Sequence, residues 1–188
     1  MSSNAALEPP ISEGPRSSPN AKSRVQTWLQ LFRAPNLFTV PGDPLIGYLV
    51  SNSGFVDHTI LLTAAASICF YAAGLLMNDI VDLQEDLADR PTRPLPAGSA
   101  AVSSVRNALW LLNVCGLLFL AATGSRAALV TGACTVAAVC SYNFFTKKIP
   151  VLGALNMGLC RSLSVMIGAM AGPAAYAKPI AAAFAVMM

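Results

Sequence analysis

Apolar residues in this chain gather into long blocks instead of alternating with polar ones. Five blocks stand out, at roughly 36–52, 59–78, 108–124, 127–146 and 152–172. Each approaches the ~20 residues that a helix needs to cross a bilayer. Blocks of this length predict transmembrane helices and exclude strands, which are far shorter. The first is expected to be irregular, because Pro41, Gly42, Asp43 and Pro44 interrupt it. Non-helical backbone at membrane depth must be buried in protein or line a cavity. A sixth block begins near Pro179, and the ten residues from there to Met188 are too few to cross. The expected architecture is an all-α, polytopic transmembrane helical bundle over residues 28–188. Residues 1–27, rich in Ser, Pro, Asn and Ala with no periodic apolar face, read as a disordered tail.

Composition strengthens the membrane reading. The chain is 55% apolar and 11% charged, against about 25% charged residues in an ordinary soluble domain. A net charge of +3 with scattered Lys and Arg gives no footprint for nucleic acid. The tail lacks the apolar core of a signal peptide, and Glu8 and Glu13 argue against a transit peptide. Five cysteines lie inside apolar blocks with no Cys-x-x-Cys spacing, as small core residues do.

Basic residues set an expected orientation. Arg16, Lys22, Arg24 and Arg33 precede the first block; Arg90, Arg93 and Arg106 follow the second; Lys147 and Lys148 follow the fourth. The opposite loops hold Arg126 and Lys178, and Arg161 lies inside the fifth block. The N-terminus and the loops on its side are therefore expected to be cytoplasmic.

Negative charge is concentrated far more sharply. Five of the nine carboxylates fall between Asp79 and Asp89, directly after the second block, and none follows. On a helix of ~100° per residue, Asn78, Asp79, Asp82, Glu85, Asp86 and Asp89 share an arc of roughly 120°. Like charges at these spacings repel, and carboxylates are unfavourable at a helix C-terminus, so something positive should offset them. Mg²⁺ suits the site: it takes oxygen ligands, commonly one or two carboxylates plus substrate phosphates. The single histidine, His58, is expected on the opposite side, which argues against zinc. The segment Arg90-Pro91-Thr92-Arg93-Pro94-Leu95-Pro96 cannot continue a helix. It is expected to hold two guanidiniums, shaped for phosphate, near the acids. The plainer alternatives are a solvated acidic helix end and arginines that merely neutralise it. Arg161 and Asp43, ionisable groups within apolar blocks, are functional suspects or an interhelical pair. Tyr142 suits an interfacial aromatic belt, and Gly168-x-x-x-Gly172 suits close helix packing.

These residues carry a family resemblance. Asn78-Asp79-x-x-Asp82-x-x-x-Asp86 resembles the N-D-x-x-D-x-x-x-D signature of UbiA-type membrane prenyltransferases, and Arg93-Pro94-Leu95-Pro96-Ala97-Gly98 is similar to that family's R-P-L-P-x-G continuation. Arg33-Ala34-Pro35-Asn36 resembles its approach to the first helix. The stretch from Tyr142 to Gly153, with Asn156 and Arg161 beyond, resembles its fourth-to-fifth helix connection. The likeness runs from about Leu31 to about Gly172. It implies the first five to six of nine helices around a central cavity. It also implies transfer of a prenyl group from an allylic polyprenyl diphosphate to an acceptor, with Mg²⁺, in the bilayer. By carry-over, Asp79, Asp82 and Asp86 would be catalytic, and Asn78, Asp82 and Asp86 would hold the metal. Asn78, Arg93, Lys147, Arg161 and Asn36 would serve the diphosphate; Asn36 could instead cap the first helix.

One departure limits the implied activity. The family carries a second Asp-rich motif on a later helix, and here no carboxylate follows Asp89. The sequence therefore reads as the N-terminal part of such an enzyme or a degenerate copy, with weak or no transfer expected from it alone. A non-catalytic isoprenoid-diphosphate binder or scaffold is the alternative. A cation carrier is disfavoured, because the acids lie at the interface and not at the midplane where transporter sites sit.

Overall fold

The computed structural model describes residues 24–52 and 56–172. The described residues form helices and turns with no strand. In chain order they are α1 (Arg24–Leu31), α2 (Ala34–Leu37), α3 (Gly42–Ser51), α4 (Thr59–Val81), α5 (Leu83–Asp89), α6 (Val102–Ala122), α7 (Arg126–Ser141), a π-helical turn (Tyr142–Thr146) and α8 (Pro150–Ala171).

Among these, four helices are long and apolar enough to cross a membrane: α4, α6, α7 with its π-turn, and α8. The first expected span is not a fifth. Its stretch is divided among α2, a turn and the ten-residue α3. The causes are local. Arg33 ahead of α2 takes a left-handed backbone conformation, φ 46°. Pro35 and Pro41, which offer no N–H to a preceding turn, break the run further. The expected tail also ends sooner than its boundary at residue 27, since α1 begins at Arg24 and buries Thr27. The rest of that tail, and the apolar block near Pro179, lie outside the described residues.

Helix α4 is the hub, packing on α3, α6, α7 and α8. Its buried Phe70 fits against glycines on two neighbours: a Cβ on Gly116 of α6 would meet the ring at 2.5 Å, and one on Gly132 of α7 at 3.4 Å. Helix α3 lies along α8 through a reciprocal glycine contact. A Cβ on Gly47 would stand 1.9 Å from the Val165 carbonyl oxygen, and one on Gly168 at 1.9 Å from the Pro44 oxygen. Small residues thus bring these backbones together, as small-residue helix contacts in membranes do. Ser125 fastens another pair, accepting from the Ala128 N–H to cap α7 (3.2 Å) and donating to the Met170 oxygen on α8 (2.6 Å).

Candidate functional site

At the end of α4 the six acidic-face residues do not stay on one helix. Asp82 leaves helical geometry (φ −84°, ψ 1°), although its N–H still donates to the Asn78 oxygen at 2.9 Å. The short α5 then resumes. The acids differ in burial. Asp79 and Asp86 are buried, Asp82 is half-buried, and Glu85 and Asp89 are exposed. Burial runs across the expected polar arc: Asp79 and Asp86, ~20° apart on a helix, face inward, Asn78 and Asp82 are half-buried, and Glu85 and Asp89 lie at the outer edge.

Each inner acid is met by a base from elsewhere in the chain. Arg93 donates to Asp86 at 2.7 Å, and the same nitrogen lies 3.8 Å from Asp79. Arg33 donates to Asp79 at 3.4 Å from the other side. Lys147 donates to Asp82, and Arg90 stands 3.9 Å from Asp86. Lys148 meets Glu85 at 2.9 Å, and the Glu85 carboxylate holds the ammonium above the usual lysine range. The proline-rich loop carries Arg93 stiffly: the Ala97 N–H donates to the Arg93 oxygen, Gly98 turns at φ 68°, and Leu95 is buried in the core. The loop holds both guanidiniums near the acids, as expected, and Arg93 stands between two carboxylates.

Two spaces adjoin this cluster. A small one of about 290 Å³ is bordered by Gln30, Arg33, Asp79, Thr92, Arg93 and Pro94. A larger cavity of about 760 Å³ opens between the helices, with Phe70, Leu75, Val139 and Met157 among its apolar walls. Arg33 and Asp79's neighbour Asn78 border the larger space, and Arg33 borders both. Asn36 lines this cavity and sits inside α2, so it is not a cap residue. Tyr142 also lines the cavity, while its neighbours Phe144 and Phe145 are exposed.

Arg161 takes a different place from the bases at the end of α4. It forms a two-point ion pair with Asp43, at 2.8 and 3.3 Å, joining α8 to α3 along the cavity wall. Asn78, Asp79, Asp82, Asp86, Arg93 and Lys147 thus come together, while Asn36 and Arg161 stand on the cavity wall. Arg33 was expected only as part of a lead-in to the first helix. Its pairing with Asp79 spans 46 residues, and the clue available in the sequence was its place among the bases of one side.

The donors fit a hard divalent cation in kind. Asp79 and Asp86 offer oxygen and already converge on one cationic nitrogen. Among the described residues no three His, Cys, Asp or Glu side chains form a complete metal-binding group.

Comparison with known proteins follows the same lines. Residues 44–188 match the model of the UbiA prenyltransferase family. Digeranylgeranylglyceryl phosphate synthase of Methanocaldococcus jannaschii is 31% identical over 96 residues, which are 50% of this chain and 34% of that protein. The enzyme of the same name from Sulfurisphaera tokodaii is 28% identical over 148 residues, 78% of this chain and 53% of that one. The chain thus spans between a third and about half of these curated relatives. A solved structure described as giving insights into digeranylgeranylglyceryl phosphate synthase in membranes shares the fold, with a TM-score of 0.80 at 24% identity. The match covers 87% of this chain and 58% of that one. With four helices able to cross a bilayer, the chain is an integral, multi-pass membrane protein.

Proposed function

Because the chain belongs to the UbiA prenyltransferase family, we propose that it binds the diphosphate head of an isoprenoid at the end of α4 and serves prenyl transfer to an acceptor. One observation carries this reading: two buried carboxylates meet a single arginine nitrogen, and Arg33, the second base on Asp79, borders a large, partly apolar cavity. A row of surface acids would not need that convergence.

The chemistry then divides among named groups. Arg93, Arg33 and Lys147 are the donors for phosphate oxygens, reached by exchanging their present carboxylate partners. Mg²⁺, held by Asp79 and Asp86 with Asn78 and Asp82 beside them, would supply positive charge against that accumulating on the diphosphate. As the allylic C–O bond breaks, its electron pair leaves with the diphosphate oxygen, and the guanidiniums stabilise it there. The cavity's apolar wall, with Phe70, Leu75 and Val139, keeps water from the allylic cation. The acceptor's nucleophile closes the new bond to that carbon and gives its proton to the departing diphosphate. The clustering of Arg33, Arg93, Lys147 and Lys148 at one end supports a cytoplasmic position for the acids, by the bias of basic loops.

Equilibrium binding of labelled geranylgeranyl diphosphate to the purified chain in lipid nanodiscs tests the reading, the probe following the relatives' names. Saturable binding is expected, strengthened by Mg²⁺ and weakened at least tenfold by Arg93→Met, the loss typical of a charge-assisted bond. Equal binding of geranylgeraniol, which lacks the diphosphate, would overturn it. Release of diphosphate on adding acceptor lipids separates transfer from the non-catalytic reading.

A further inference from the structure

Among the described residues three buried polar side-chain atoms have no hydrogen-bond partner: Ser51 Oγ, Asn52 Oδ1 and Asn143 Oδ1. Of these three residues, Asn143 is the one that lines the large cavity. It is 3% exposed. Its Nδ2 donates to the Val139 oxygen at 2.9 Å, one turn back. That bond fixes the amide plane and leaves Oδ1 as the free end. Buried carbonyl oxygens are rarely left unmatched, since the lost hydration is not recovered. The position is also locally unusual. Asn143 lies in the π-helical turn Tyr142–Thr146. Such turns are uncommon and frequent at functional sites. Here two consecutive residues, Tyr142 and Asn143, both reach the cavity.

We propose that Asn143 Oδ1 accepts a hydrogen bond from a hydroxyl of the acceptor lipid and so helps select it. The proposal rests on the prenyl-transfer reading and names the other substrate's chemistry. An amide oxygen recognises donors. A prenyl chain has none, and an ionised diphosphate offers acceptors, so the first substrate cannot satisfy it. Nor do the cavity's cations, because Arg33 and Arg161 are engaged by Asp79 and Asp43. A neutral O–H is the simplest match. Asn143 takes up no proton, so its role is positioning and not catalytic.

The test compares two probes that differ at the glycerol hydroxyls: a hexadecylglycerol monoether, and the same lipid with its hydroxyls methylated. Saturable binding of each is measured to the purified chain in nanodiscs. The wild type should prefer the free hydroxyl form by roughly tenfold, the discrimination expected when one buried acceptor is left unpaired. Asn143→Leu should abolish the preference while holding the methylated probe as tightly as before. Asn143→Ser, whose hydroxyl can both donate to Val139 and accept, should restore part of it. Equal binding of the two probes by the wild type would overturn the proposal and assign the oxygen to water, as would a preference that survives in Asn143→Leu. Absence of saturable binding for both probes also overturns it. Geranylgeranyl diphosphate binding, measured alongside, reports separately on the reading of the acids: its loss with the hydroxyl preference intact sinks that reading and not this one.

Discussion

Replacing Gly168 by Ala should loosen the α3–α8 wall of the cavity. The added Cβ would stand 1.9 Å from the Pro44 oxygen, where 3.4 Å begins ordinary contact. The obstacle is a backbone carbonyl, so no rotamer change can relieve it, and one helix must back away by more than an ångström. Overpacking of this kind costs typically about 1–3 kcal/mol, and a rigid obstacle puts Gly168→Ala at the upper end. For a chain of this size about 3 kcal/mol lowers the melting temperature by roughly 6–12 °C. Gly158→Ala on the same helix is the control: its Cβ meets nothing within 4 Å, and the gain in helix propensity should leave stability equal or up to ~1 kcal/mol better. Gly47→Ala repeats the experiment from the α3 side, against Val165. Because one separation of the helices relieves both clashes, the double variant should cost less than the two singles together, which independent sites would not do. The free cysteines on several helices provide the assay, through a thiol-reactive dye that reports thermal unfolding in detergent. A Gly168→Ala protein melting with the wild type, or a fully additive double variant, would refute the packing argument.

Other outcomes follow from the site. Arg93→Met removes one partner of a buried carboxylate, a change that costs 3–5 kcal/mol when the pair is fully enclosed. With Arg93 29% exposed and Arg90 still 3.9 Å from Asp86, about 1–2 kcal/mol is expected from the same melting assay. Asp86→Asn should remove the Mg²⁺ enhancement of geranylgeranyl diphosphate binding while the protein still inserts into membranes; an unchanged Mg²⁺ response would exclude Asp86 as a ligand. At the other end of the molecule, the Asp57 carboxyl is held below its usual value of 3.8 by the Thr59 hydrogen bond first and then the Tyr48 hydroxyl. The ionised form is the one that stabilises the fold, so the stability difference between wild type and Asp57→Asn should be constant above that value and shrink as pH falls below it. A difference that grows on acidification would contradict the assignment.

Four of the five apolar blocks were legible as helices because length and composition decide such elements. Their ends were less so. Helix α6 starts at Val102, ahead of the apolar block at 108, since Ser103, Ser104, Arg106 and Asn107 are poor membrane residues that a helix accepts readily outside the apolar layer. The acidic cluster was legible from its density, and its bases from charge counting. Their pairing was not: Arg33 reaches Asp79 across 46 residues and Lys147 reaches Asp82 across 65, and local pattern carries no such information. The one-residue break at Asp82 escaped for another reason. Helical spacing assumes a regular backbone, and nothing in the polar pattern marks Asp82 as the residue where α4 gives way to α5. Asn143 gave no signal, because an asparagine after an apolar run is ordinary until its surroundings are known.

The left-handed backbone at Arg33 separates two demands that most residues meet together. Glycine adopts such a conformation freely, whereas any side chain adds about 1–2 kcal/mol of strain. An arginine kept there gives up robustness for reach. Arg33→Gly would release that strain and at the same moment strip Asp79 of a partner, so only a comparison with Arg33→Ala, which loses the same charge and keeps the strained backbone, isolates how much stability the molecule forgoes to hold one charge at the meeting point of its two chambers.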